Sequence, residues 1–288
     1  MLYRAQNLPF GTAERLRLAD SGVRSVWVGF EQSGDWSRYV TGRLETRVSD
    51  PHLSIEDRVG VLVHSSRDLM REILGNPRAS SVREQIEIIN RSLCRLVDGP
   101  DTMAAAVRMM EHDYYTYTHS LHDAIYSVGL ARATGVTAPD LLHSIGRGAL
   151  MHDCGKCDLP SRLINKPGML TADEWELMKT HPQRGVAILI EGNWDDPLVL
   201  EICQAHHEWL DGSGYPRGLM QRAIPMEVRI VSLADGFDAM TSDRAYQRAL
   251  SGAEALRILC AEGKHRYDQT LVRKLITLLC PTGGANLR

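Results

Sequence analysis

From Asp101 onward one pattern recurs almost without a break: a capping residue or proline, apolar residues three and four apart, then a breaker. Pro139-Asp140 predicts a helix that reaches His152. Thr171 and Glu174 have capping-box spacing and predict a helix ending near His181. Asp196-Pro197 supplies an N-cap and a proline at the first helical position, opening a helix that carries Ile202, Ala205, His206 and His207. Pro225 opens another, running past Asp235 to about Ser242. Ser251 with Glu254 repeats the capping box, and a last helix covers about Thr270 to Cys280. There is no internal repeat and no low-complexity tract. The first hundred residues read differently. Val23 to Val28 alternates apolar and polar as a half-buried strand does, and Gly29 to Trp36 reads as a turn-rich loop. Ser54 can cap a helix to about Leu74, and a second helix covers Val82 to Val97. Asp98-Gly99-Pro100 breaks it. The expected organisation is a small α/β N-terminal domain over 1–100 and a mainly helical domain over 101–288.

The chain of 288 residues is 43% hydrophobic and 24% charged, so it can build a core without disulfides or metal. A net charge of -3 gives no broad footprint for a nucleic-acid polymer or an anionic membrane. No apolar run approaches the ~20 residues that span a bilayer, and the N-terminus lacks a signal-peptide core. The expectation is a cytoplasmic protein whose six cysteines are reduced.

Five of the eleven histidines fall at helices or helix ends: His119, His152, His181, His206 and His207. Asp153 follows His152 directly. Asp235 sits within the apolar segment Ile230 to Ala239, where a carboxylate is costly unless paired or bound to a cation. Imidazole with carboxylate suits iron, manganese or zinc. Two such ions about 3.5–4 Å apart can activate water and stabilise both oxygens in phosphate ester hydrolysis. A lone helical histidine is more often a surface or hydrogen-bonded residue, so His52, His64, His112, His122, His143 and His265 stay unassigned. Cys154 and Cys157 form a Cys-x-x-Cys pair, but it follows a helix and is interleaved with these residues, so it reads as incidental.

His152-Asp153-Cys154-Gly155-Lys156 resembles the motif of the HD phosphohydrolases. His206-His207-Glu208-Trp209-Leu210-Asp211-Gly212-Ser213-Gly214-Tyr215-Pro216 resembles the extended signature of their HD-GYP subfamily. Leu159-Pro160, Ile164 to Gly168, Glu174, Met178 to His181, Arg229 to Ala239, and Arg244 with Tyr246 follow the family's order, so the resemblance covers about 101–280. It implies an all-helical HD-type bundle that hydrolyses cyclic di-GMP to linear pGpG or GMP. By position, His119, His152, Asp153 and Asp235 resemble the ligands of one metal. Asp153 would bridge to a second, held by His181, His206 and His207. The implied centre is dinuclear, with iron first, then manganese, and zinc less favoured. Lys156 resembles the lysine at the scissile phosphate, and Arg244 resembles an arginine that holds substrate phosphate. Tyr215 lies in the loop that the family places beside the site and links to partners, among them GGDEF diguanylate cyclase domains. A homodimer stays open.

Two positions depart from the family. Tyr115 stands where some members carry a third-metal glutamate, which implies two metals and favours pGpG. Gln247 replaces a common basic residue, which implies weaker phosphate affinity. The alternatives are an HD hydrolase for another nucleotide, against which the Gly-Tyr-Pro signature speaks, and a non-catalytic cyclic di-GMP receptor or scaffold. The N-terminal hundred residues read as regulatory or oligomerising.

Overall fold

The protein is described by a computed structural model over residues 33–97, 100–110, 118–242, 248–261 and 263–279, with Glu14, Arg17, Leu18 and residues 20–23 before them. The chain divides into two compact units, Met1–Val40 and Thr41–Arg288. The helices are α1 (Ser33–Val48), α2 (Ile55–Gly75), α3 (Val82–Leu96), α4 (Pro100–Met110), α5 (His119–Ala133) and α6 (Pro139–Met151). A 3-10 turn, Cys154–Asp158, follows, then α7 (Ser161–Ile164), α8 (Ala172–Met178), α9 (His181–Glu191) and α10 (Pro197–Ala205). The chain continues with α11 (Met226–Thr241), α12 (Gly252–Ala261) and α13 (Gln269–Leu279). Among the described residues there is no strand, and no helix is long and apolar enough to cross a membrane.

The local signals act as expected. The Ser54 side chain accepts from the amide of Asp57. Thr171 and Glu174 form a full capping box, as do Ser251 and Glu254. Asp196 accepts from the amides of Leu198 and Val199. The core is centred on α5, whose residues from Ser120 to Ala131 are all buried. A helix buried on every side needs neighbours all round, and α6, α11 and α13 supply them. α10 packs on α6 and α9, and α9 packs on the 3-10 turn. α2 and α3 pack on α4 and α6, so helices before residue 100 share one unit with those after it.

Some expectations change. The strand over 23–28 lies, apart from Val23, outside the described residues. Ser33 to Trp36 open α1 instead of forming a loop; Ser, Gly and Asp begin helices as readily as they make turns. The helix expected to run to about His181 stops at Met178, and His181 starts α9. Pro182 is the reason: it has no N–H to continue an earlier helix and fits the first turn of a new one.

Asp196 ties α10 to its surroundings. It accepts from Ser144 Oγ at 2.6 Å and Arg147 Nη2 at 2.7 Å as well as from its own helix. Burial opposes its charge, but Ser144, the two amides and Arg147 outweigh it and hold the carboxyl below its usual range. The carboxylate therefore stabilises fully above the unfolded pKa of about 3.9, and this is lost as pH falls through the lower folded value. Asp196→Ala is expected to cost about 1 kcal/mol, read as a fall in Tm of roughly 2–4 °C at neutral pH that shrinks in acid.

Candidate metal centre

Three site histidines owe their orientation to helix ends, where the last carbonyls lack intrahelical donors. The Nδ1 of His152 lies 2.7 Å from the carbonyl of Ala149, that of His181 2.8 Å from Met178, and that of His206 3.0 Å from Cys203. A carbonyl only accepts, so Nδ1 carries a proton in each and Nε2 is the nitrogen turned toward the site. His119, the first residue of α5, reaches the same state through a carboxylate, its Nδ1 lying 2.6 Å from Asp238 Oδ2.

Those Nε2 atoms converge on Asp153, which is 8% exposed. Its Oδ1 lies 3.3 Å from His181 Nε2 and 3.8 Å from His206 Nε2. Its Oδ2 lies 3.4 Å from His152 Nε2, 3.8 Å from His119 Nε2 and against Lys156 Nζ. Asp235 Oδ1 is 3.2 Å from His119 Nε2, and its Oδ2 is 3.7 Å from His207 Nδ1. The seven side chains thus form two adjoining groups, Asp153-His181-His206-His207 and His119-His152-Asp235. Within each, the donor atoms lie within 4.8 Å of one another.

A cation fits this arrangement. The inward atoms His119 Nε2, His152 Nε2 and Asp153 Oδ1 are buried without a hydrogen-bond partner, a cost that coordination removes. His181 and His206 bring two Nε2 atoms to 3.2 Å, which a cation between them would relieve. Burial and the neighbouring imidazoles depress His206, and burial depresses His207 to about 3, so both are neutral and able to coordinate a cation at pH 7. Burial also works against charged His119 and His152, but the nearby aspartates prevail and raise them to about 10 and 9. Asp153 and Asp235 resist burial through Lys156 and the histidines and stay ionised. Their charge is what a divalent cation would balance in place of those protons.

Three residues without a sequence assignment complete the setting. Asp238 accepts from His119 and, at 3.1 Å, from His122 Nδ1. Asp123, fully buried, lies 3.3 Å from His152 Nδ1. The signal was present as spacing: His122 follows His119, and Asp238 follows Asp235, by one helical turn on the same face. Asp238→Ala is expected to weaken metal binding by about 10–100-fold, as loss of a carboxylate behind a ligand histidine does. Equilibrium dialysis against a chelator would check this; unaltered retention in a folded variant rejects it.

Glu208 builds the following loop. Its oxygens accept the amides of Arg217 at 2.7 Å and Leu219 at 2.8 Å. Gly214 passes so close to the backbone of His207 and Trp209 that a Cβ would overlap them. The loop sets Tyr215 beside His207, with ring centroids 4.7 Å apart. Lys156 lies next to Asp153 and is partly exposed. Cys154 is buried and Cys157 exposed, and both are free thiols. Arg244, Tyr246, Gln247 and Tyr115 lie outside the described residues.

The HD domain family description matches residues 117–271. The chain is 30% identical over 284 residues to cyclic di-GMP phosphodiesterase PA4108 of Pseudomonas aeruginosa, covering 92% of this chain and 67% of that protein. It is 37% identical over 169 residues to a cyclic di-GMP phosphodiesterase of Thermotoga maritima, covering 58% of this chain and 45% of the relative. The chain therefore spans two thirds of the first relative and under half of the second. Its fold resembles that of Bd1817, an HDG"Y"P protein from Bdellovibrio bacteriovorus, with a TM-score of 0.68 at 21% identity, over 91% of this chain and 85% of that one. With its paired histidine and aspartate motifs gathered into one candidate divalent metal centre, and its His206 to Pro216 signature beside it, the chain belongs to the HD domain family and to its HD-GYP branch.

Proposed function

We propose that the chain is a metal-dependent phosphodiesterase that opens cyclic di-GMP to linear pGpG in bacterial second-messenger signalling. The observation that carries this is the split carboxylate of Asp153, one oxygen toward His181 and His206 and the other toward His119 and His152. Such a carboxylate suits two cations held side by side. In this reading His119, His152, Asp153 and Asp235 hold one ion, and Asp153, His181, His206 and His207 hold the other. Iron is preferred, with manganese next, as the resemblance to the HD-GYP family implies; a donor set of imidazole and carboxylate without thiolate is compatible with either. When bound, the cations would supply Lewis acidity and ease deprotonation of the attacking water.

The chain's own groups do the rest. Asp153 orients the two halves of the centre. Lys156, a compact cation beside Asp153, takes up charge on the phosphoryl oxygens as it develops. Arg244 holds the substrate phosphate, and Tyr215 walls the site. Water attacks phosphorus as the bond to the 3′ oxygen breaks, which opens the ring. Tyr115 in place of a glutamate supports two ions and pGpG as the product. The functional domain is taken to begin at about residue 101, with the N-terminal region regulatory. Arg78, in the α2–α3 connection, supports that role: it binds Asp158 in a bidentate pair at 2.9 Å, two residues beyond Lys156, and Glu191 at 2.7 Å. GGDEF domains docking on the Gly-Tyr-Pro loop, a homodimer and a cytoplasmic location complete the reading.

The test is anaerobic purification, quantification of iron, manganese and zinc, and chromatography of cyclic di-GMP incubated with the same sample. About two ions per chain with pGpG appearing supports the proposal. Metal and tight nucleotide binding without product would favour a cyclic di-GMP receptor or scaffold instead.

A further inference from the structure

Trp175 stands at the edge of the histidine and aspartate centre. It lies on α8, six residues before His181, and is 45% exposed. Its ring meets that of Tyr215 at 81°, with centroids 5.9 Å apart. Tyr215 in turn lies against His207 and 6.3 Å from the ring of His181. Two aromatic steps therefore lead from a site imidazole to an indole open to solvent. The perpendicular rings of Trp175 and Tyr215 form a corner. A planar heterocycle can stack on one ring and set its edge against the other.

Both walls are held in place. The capping box fixes the start of α8, and Lys166 Nζ donates to Glu174 at 2.5 Å. The amide of Tyr215 donates to the carbonyl of His207 at 3.1 Å. A surface built in advance loses little entropy when a ligand arrives. No residue of α8 is buried, so core packing does not account for an indole there. In a nucleotide the base lies one sugar away from the phosphate. Trp175 lies one aromatic ring away from His207, on the side of the centre that the Gly-Tyr-Pro loop frames.

We propose that Trp175 and Tyr215 form a nucleobase subsite, in which a guanine of the cyclic dinucleotide stacks on the Trp175 indole while its phosphate lies at Lys156 and the metal centre. This rests on the phosphodiesterase reading above. Every base has a π face, so the stack adds affinity for the base and leaves the choice between guanine and adenine to other contacts.

The test uses the full chain loaded with Mn2+. KM and kcat are measured on cyclic di-GMP and on bis(p-nitrophenyl) phosphate, a diester with no base, for the wild type, Trp175→Ala and Trp175→Phe. Loss of one base stack is expected to raise KM for cyclic di-GMP by about 5- to 150-fold in Trp175→Ala. That rise should far exceed any change on the baseless diester, and Trp175→Phe should recover most of it. A KM on cyclic di-GMP that does not move, or that moves equally on both substrates, overturns the subsite and leaves the phosphodiesterase standing. If the wild type neither cleaves nor binds cyclic di-GMP, the phosphodiesterase reading fails, and titration with GMP decides the subsite separately. Quenching of tryptophan fluorescence that is present in the wild type and missing in Trp175→Phe keeps it. Equal quenching in both, or none in either, removes it.

Discussion

Asp153→Ala is expected to lose both bound metal and phosphodiesterase activity, with turnover falling by more than about 10³-fold. Loss of even one preorganised charge-stabilising group costs ~10²–10³ in rate, and Asp153 meets four histidines through its two oxygens. Without it, His181 and His206 keep two Nε2 atoms at 3.2 Å with no carboxylate between the two groups. Lys156 also loses the side chain that holds it. Elemental analysis and a cleavage assay on the same sample check this. A variant that keeps about two ions per chain and turns over normally would rule out the split-carboxylate centre. Folding should survive, because Asp153 lies at the site and not in the apolar core, and circular dichroism would verify that.

Gly155→Ala acts on the same centre through packing. Gly155 lies two residues after Asp153, where the 3-10 turn presses on α9. A Cβ there would overlap the carbonyl oxygen of His181 and the amide nitrogen of Gly185. Both are backbone atoms of one helix, so neither can swing aside as a side-chain tip does. Overpacking of this kind costs typically about 1–3 kcal/mol, sometimes more. The turn must move away from α9, and with it Asp153 from His181. The expected outcome is a Tm lower by roughly 2–12 °C together with a reduced metal content. A scan of thermal stability alongside metal analysis reads both. Wild-type values for both would show that the turn does not set the spacing of the centre.

How much was legible in advance follows from how far each interaction reaches. Ser54, Thr171 with Glu174, Asp196, Pro225 and Ser251 announce helix starts because a cap closes within three or four residues. The structure carries each of those helices. The start of α1 reads as a loop in the sequence because serine, glycine and aspartate also make turns, and nothing local separates the two outcomes. His181 reads locally as the end of one helix but begins another, since the proline after it marks a start as well as a stop.

The chain's own order determined which residues gather at the centre. Histidine and aspartate at helix ends, in a recognisable order, are chemistry written along one dimension. What stands behind and beside them comes from how the helices pack. Asp238 meets His119 across 119 positions and His122 across 116. Arg78 meets Asp158 across 80. Trp175 meets Tyr215 only when α8 and the loop after α10 come together. Such contacts depend on how helices pack, through the summed burial of many apolar side chains around α5. No short stretch of residues contains that sum, so these partners become visible only in the folded chain.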